Sequence, residues 1–292
     1  MFDPLHLQAL SAVLRTGSFE AAAHELGVTQ SAISQRIRAL EDRAGAILIV
    51  RESPCRATEI GQRLFRHAEE IGLLNRELAR DLNVTDGHRI SLRIAVNADS
   101  LATWFLPALA GHEGMLFDVL IDDQDHSADL LRQGKVTAAI TGHPGPVQGC
   151  ETLPLGVLRY VAVASPAFIA RWFPQGLTPD ALETAPALVF SEKDRLQADW
   201  VSEIAGRRLR LPAHHLPSST AFVEAARLGL GWGMNPEPLV SSAIAEGRLV
   251  PLAPDHPLDT PLYWLTTRVG RAALADLTEA IKRTARQTLL SV

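Results

Sequence analysis

Leu7, Leu10 and Leu14 recur at spacings of three and four, as do Phe19, Ala22, Ala23 and Leu26, and then Ile33, Ile37, Leu40 and Ala44. Each set lies along one side of an α-helix, so the chain opens with three short amphipathic helices. Gly17 ends the first, Ser18 is placed to cap the second, Gly27 breaks it, and Thr29 is placed to cap the third. A helix, a Gly-containing turn of about three residues and a second helix make helix-turn-helix spacing. ILIVR (47–51) then has strand composition, ESP (52–54) turns the chain, and CRAT (55–58) returns it as a small wing. After Thr58 the positions Ile60, Leu64, His67, Ile71, Leu74 and Leu78 step by four and three, a heptad seam with a histidine at one core position. A lone helix of this length gains its stability by packing, either on its own domain or on the same helix of a second copy. The separate domain that follows at once favours the second copy.

NVTDGHR (83–89) reads as a hinge. Beyond it RISLRIAV has the texture of a buried strand, followed by a helix from about Ser100. Further strand candidates are MLFDVLID (115–122), VTAAIT (136–141), YVAVA (160–164), ALVF (187–190), GWGM (231–234) and PLYWLTT (261–267). Helical stretches alternate with them at 128–135, 166–173, 220–229, 239–247 and 270–290. This alternation predicts an α/β region of parallel strands joined by crossover helices.

Composition narrows the class. At 292 residues, with 47% hydrophobic and 21% charged content, the chain has the make-up of a soluble protein of two or three domains. MFDPLHLQAL has neither a basic n-region nor an apolar h-region, and no apolar run reaches membrane-spanning length. Cys55 and Cys150 stand far apart without a C-x-x-C partner, so a cytoplasmic protein with reduced thiols is expected. His126 stands beside Asp122, Asp123 and Asp125 with no second His or Cys at ligand spacing, and Ser165 and Ser191 lie in no nucleophile motif. No metal, no cofactor and no enzymatic activity are expected. The net charge of −5 means that any contact with nucleic acid must be local. The third helix supplies such a place: its outer face shows Gln30, Ser31, Ser34, Gln35 and Arg38, with Arg36 on the flank. Amides, hydroxyls and arginines are what base edges and phosphates of the major groove accept. An ordinary helical cap with a polar outer face is the alternative on pattern alone.

The stretch SFEAAAHELGVTQSAISQRIRALEDRAGAILIVR resembles the N-terminal signature of LysR-type transcriptional regulators, and the likeness extends over essentially the whole chain. Three stretches, AVNADSLATWFLP (95–107), DDQDHSADLLRQGKVTAAIT (122–141) and PLYW (261–264), look like the ArgP/LysG branch, which answers to lysine and arginine and controls basic amino-acid export. The resemblance implies a winged helix-turn-helix domain (1–58), a dimerising linker helix and hinge (59–88), and a two-lobed α/β effector domain (89–292) like a periplasmic binding protein. Crossings between lobes are expected near Arg159–Ala162 and Leu265–Arg268, giving lobe I about 90–160 and 267–292 and lobe II about 161–266. DNA contacts fall on Thr29, Gln30, Ser31, Ser34 and Gln35, with Arg36 and Arg38 near phosphates and Arg51 or Arg56 on the wing. Three places line the expected cleft. Asn97, Asp99 and Ser100, where a strand runs into a helix, and Ser218, Ser219 and Thr220, opening a helix opposite, suit a ligand carboxylate. Asp122 and Asp123, at a strand end, suit an ammonium or guanidinium, and Trp104 and Thr141 complete the set. N-capping by Ser218–Thr220, a solvated acidic loop at Asp122–Asp125 and a core role for Trp104 are the alternatives. One departure stands out: GWGMNP places Asn235 where the family commonly has an apolar residue before the proline.

The implied partners are an operator in double-stranded DNA, RNA polymerase, a basic amino-acid effector and a second copy through the linker helix, with tetramers formed from two dimers. Rival readings are an architectural or replication-related DNA-binding protein of low sequence preference, and a solute-binding-type sensor or enzyme on the same α/β lobes. The helix-turn-helix weighs against a solute binder, and the missing nucleophile and cofactor loop against an enzyme.

Overall fold

The computed structural model describes residues 1–81, 90–112, 114–122, 127–132, 134–268 and 270–291. Helix α1 (Pro4–Thr16) is capped by Asp3, whose side chain accepts from the Leu5 N–H at 2.8 Å, and ends on Gly17 in the left-handed region. α2 (Phe19–Glu25) is capped by Ser18, and α3 (Gln30–Ala44) by Thr29. Leu7, Leu10, Val13, Ala22, Ile33, Ile37 and Leu40 interlock as one buried core. Burying each Leu or Ile contributes about 1.5–3 kcal/mol, which is what holds three short helices together. The wing pairs β1 (Ile49–Val50) antiparallel with β2 (Arg56–Ala57). It is seated on Gly17: the Cys55 N–H donates to the Gly17 carbonyl at 2.8 Å, and a Cβ at Gly17 would stand 2.8 Å from that of Pro54.

Helix α4 (Glu59–Asp81) divides the predicted seam. Leu64 and Ile71 pack on the helix-turn-helix core, and Leu73 enters the core of the next domain. Ile60, Leu74 and Leu78 are left 45%, 48% and 57% exposed. The Gln62 amide donates to the Gly134 carbonyl at 3.2 Å, so α4 also touches the α/β region. The hinge expected at 83–89 lies outside the described residues.

The α/β region starts with β3 (Ile90–Val96), α5 (Ala98–Ser100), a π-helical turn (Leu101–Phe105) and α6 (Leu106–Leu109). β4 (Met115–Ile121), α7 (Ser127–Arg132), β5 (Ala138–Thr141) and the long β6 (Cys150–Ala164) follow. Next come α8 (Pro166–Trp172), α9 (Pro179–Thr184), β7 (Ala187–Val189), α10 (Leu196–Ala205) and β8 (Ala213–His215). The chain finishes with α11 (Ser219–Arg227), β9 (Gly233–Pro236), α12 (Glu237–Ala245), β10 (Val250–Pro251), β11 (Leu258–Thr267) and α13 (Ala275–Thr288). The main sheet has the order β10–β6–β11–β5–β3–β4, with β9 also on β6. It is mixed, which corrects the all-parallel expectation. β3 is parallel to β4 and β5, whereas β6 and β11 run antiparallel to each other through both lobes, because the chain must leave lobe I and return.

The first half of β6 escapes the sequence pattern because it contains Pro154 and Gly156, residues that ordinarily interrupt a strand. Here they form a bulge: Tyr263 pairs with Pro154 and Leu262 with Gly156, leaving Leu155 out of the register. The second passage between lobes also lies earlier than Leu265–Arg268, since Tyr263–Thr266 already pair with β5 of lobe I. Where β6 and β11 cross, Arg159 grips Asp259 with two hydrogen bonds of 2.8 Å. Those bonds hold the Asp259 carboxyl below its usual pKa. Among the described residues no helix is long and apolar enough to cross a membrane.

Candidate functional site

The outer face of α3 is built by its inner face. With Ile33, Ile37 and Leu40 locked in the core, helical geometry turns Ser31, Gln35 and Arg38 outward, while Gln30 is open as the first residue of the helix; all four are exposed. Ser34 and Arg36 are half-buried on the flanks. Thr29 fixes the first turn: its hydroxyl accepts from the Ala32 N–H at 3.2 Å and lies 2.9 Å from the Ser31 hydroxyl. On the wing, Arg56 is exposed, and the Arg51 guanidinium sits 5.0 Å from the centre of the Phe19 ring. That contact anchors the wing cation against the start of α2. The predicted DNA residues lie on α3, its cap and the wing, all exposed except the half-buried Ser34 and Arg36.

The second site is a cleft of about 560 Å³ between the lobes. Asp99 lies on its floor, one residue into α5. Its carboxylate takes the Tyr160 hydroxyl at 2.8 Å and the Ser219 hydroxyl at 2.6 Å. Three elements thus converge on one carboxyl group: α5 of lobe I, β6 at the crossing and α11 of lobe II. Burial pushes the Asp99 pKa up, and the two hydroxyl donors partly offset this. A ligand carboxylate placed here would face an anion with its donors already committed, so the polarity is the reverse of that expected from the strand-to-helix junction. Asp99 suits a cation.

Of the other expected residues, Asn97, Asp122 and Ser219 line the cleft. Ser218 instead caps α11, accepting from Ala221 N–H at 3.3 Å, with the exposed Thr220 hydroxyl 3.3 Å away. Ser100 is fully buried behind the wall, and Thr141, also buried, takes the His143 N–H at 3.2 Å. Trp104 is 1% exposed within the lobe I core, stacked edge-on against Phe105, so the core reading replaces the ligand reading. Asp123 lies outside the described residues, as do Asp125 and His126.

The cleft also takes residues that the pattern did not single out. Tyr160 comes from β6, and Lys193, Asp194 and Arg195 come from the turn between β7 and α10. Asp194 shapes that turn by accepting the Phe190 and Leu196 N–H groups at 2.9 and 3.0 Å. Asn235, the departure from the family pattern, forms part of the lobe II wall with Phe222 and Met234.

Comparison with known proteins bears on both sites. The model for the bacterial regulatory helix-turn-helix protein, lysR family, matches residues 5–62, and that for the LysR substrate binding domain matches residues 85–286. The HTH-type transcriptional regulator LysG of Mycobacterium tuberculosis is 44% identical over 284 residues, covering 97% of this chain and 93% of that protein. The crystal structure of ArgP from Mycobacterium tuberculosis superposes with a TM-score of 0.84 at 42% identity, covering 100% of both chains. Full-length LysG from Corynebacterium glutamicum with bound effector Arg superposes with a TM-score of 0.72 at 36% identity, covering 99% of each.

Proposed function

Because this chain belongs to the LysR family of bacterial regulators, we propose that it is a sequence-specific transcriptional regulator whose activity is modulated by arginine or lysine. The LysG and ArgP names of its relatives, and the arginine bound to Corynebacterium LysG, support that effector class. The observation in this chain that carries it is the buried Asp99 carboxylate, held at the meeting point of both lobes by Tyr160 and Ser219. An anion so placed draws in a cationic side chain, and its contacts to both lobes link occupancy to lobe closure. Asp122 and Lys193, at the rim, are of the right charges for the ligand's α-ammonium and α-carboxylate. A ligand shifts the protein between states only by its differential affinity for them, typically about 1–3 kcal/mol.

On the DNA side, Gln30 and Gln35 are the base readers, with Ser31 and Ser34 beside them and Arg36, Arg38, Arg51 and Arg56 on phosphates. Two copies joined through the exposed Ile60, Leu74 and Leu78 of α4 present two such helices to half-sites about one helical turn apart. Pairs of dimers and contact with RNA polymerase complete the regulator, and an exporter of basic amino acids is its target. Footprinting of the full-length chain, with and without arginine and lysine, tests the reading. One discrete site whose protection changes with ligand is expected. Asp99→Asn should protect the same site while binding ligand at least about tenfold more weakly, as for loss of a charge-assisted hydrogen bond. Uniform coating of random DNA, or ligand affinity unchanged by Asp99→Asn, overturns it.

A further inference from the structure

Asn235 has a hydrogen-bonding group left over. Its backbone pairs with Val161 of β6, and the residue is 1% exposed. The amide nitrogen donates to the Gly233 carbonyl at 3.1 Å, whereas the Oδ1 carbonyl oxygen is buried with no hydrogen-bond partner among the described residues. A leucine or valine would fill this place without stranding an acceptor, and buried acceptors are rarely left unpaired. Asn235 lines the cleft, and a donor arriving from that side is what its Oδ1 lacks.

Its surroundings define that donor. Tyr160, which donates to Asp99, is the register partner of Pro236, the residue next to Asn235. Asp99, held by Tyr160, and Asn235 line the same cleft. Asn235 also shares a face of β9 with Gly233, whose added Cβ would come within 2.5 Å of the Phe222 ring. Phe222 and Met234 supply an apolar wall for methylene groups. The entering group that fits is a slender aliphatic stem ending in a cation with several N–H donors.

We propose that Asn235 is a specificity-determining residue of the cleft: its Oδ1 accepts an N–H from the cationic end of the ligand's side chain while Asp99 balances the charge. This rests on the basic amino-acid reading above. It makes the cleft select for a terminal donor, since a site built to hydrogen-bond a group discriminates strongly against the analogue that lacks it.

Calorimetric titration of the full-length protein with arginine, lysine and norleucine, on wild type, Asn235→Leu and Asn235→Asp, tests it. Norleucine keeps the α-groups and an apolar stem but has no terminal donor. Wild type should prefer lysine to norleucine by about tenfold or more. Asn235→Leu should lose about tenfold for arginine and lysine and leave norleucine unchanged. Asn235→Asp, which keeps an acceptor but loses the N–H given to Gly233, should retain more arginine and lysine affinity than Asn235→Leu. Equal losses for all three ligands in Asn235→Leu, or no loss for any, overturns the role of Asn235. If wild type binds neither arginine nor lysine, the basic amino-acid reading falls and takes this assignment with it.

Discussion

A carboxylate that is buried and still ionisable makes ligand binding sensitive to pH, and Asp99 is such a group. Its pKa is raised because burial disfavours the charged form by more than the Ser219 and Tyr160 hydroxyls restore. In the ligand-free protein the folded state therefore holds the Asp99 proton where the unfolded chain has released it. That contribution to stability is fully present below the ordinary carboxylate pKa and is lost as pH rises through the raised one. The melting temperature of wild type relative to Asp99→Asn should fall across that window. A cationic ligand reverses the preference, since it favours the ionised form. Arginine or lysine affinity should accordingly weaken as pH is lowered through the raised pKa, with protons released on binding. Glu69 is shifted in the same direction by burial, so the comparison must be between wild type and Asp99→Asn rather than wild type alone. Calorimetry in two buffers of different ionisation heat measures the released protons; no release, or affinity that rises in acid, removes Asp99 from contact with the cation.

At the scale of elements, α3 separates selectivity from affinity along one helix. Gln35 offers a bidentate amide and Arg38 a cation, both exposed on the same side. Gln35→Ala should cost about 1–3 kcal/mol at its preferred base and little on random DNA, whereas Arg38→Ala should weaken both alike and lower the salt slope by about one. Gel-shift titrations at several salt concentrations check both; equal loss on specific and random DNA for Gln35→Ala would sink its reading role. This helix was legible in the sequence because everything that builds it is local: the Thr29 cap, the Ile33–Ile37–Leu40 stripe and the Gly45 terminus. β6 was only half legible, since Pro154 and Gly156 look like breakers until the pairing with β11 turns them into a bulge. The cleft was less legible for the same reason. Asp99 and Ser219 could be picked from their places at helix starts, but Tyr160 and Asn235 come to the cleft through pairings between distant segments that no local pattern encodes. A tryptophan beside a predicted site reads alike in the sequence whether it faces ligand or core, and Trp104 lies in the core.

For the whole molecule, α4 is where the two sites meet. Leu64 and Ile71 fasten it to the DNA-binding domain, and Leu73 and the Gln62–Gly134 bond fasten it to lobe I. Beside them Glu69 is near Arg15 of α1 at 4.0 Å and feels the charge of Arg93 of β3, which itself pairs with Asp118 at 2.6 Å. β3 runs directly into the Asn97–Asp99 corner of the cleft, so the lobe closure proposed above would shift the helix that packs on the helix-turn-helix. The exposed Leu74 and Leu78 give that shift its consequence if they join two copies, because the distance between recognition helices then depends on how each α4 is held. Replacing both with aspartate places charges on the proposed joint without touching the residues packed inward, so each chain should keep its fold and its arginine affinity. The protein should sediment as a monomer. Operator affinity should drop by about a hundredfold or more as the second half-site ceases to be an intramolecular event, while contact with a single half-site is kept. Sedimentation velocity and footprinting on full and half operators measure this. A double variant that remains dimeric with wild-type operator affinity would move the dimer joint away from this face of α4.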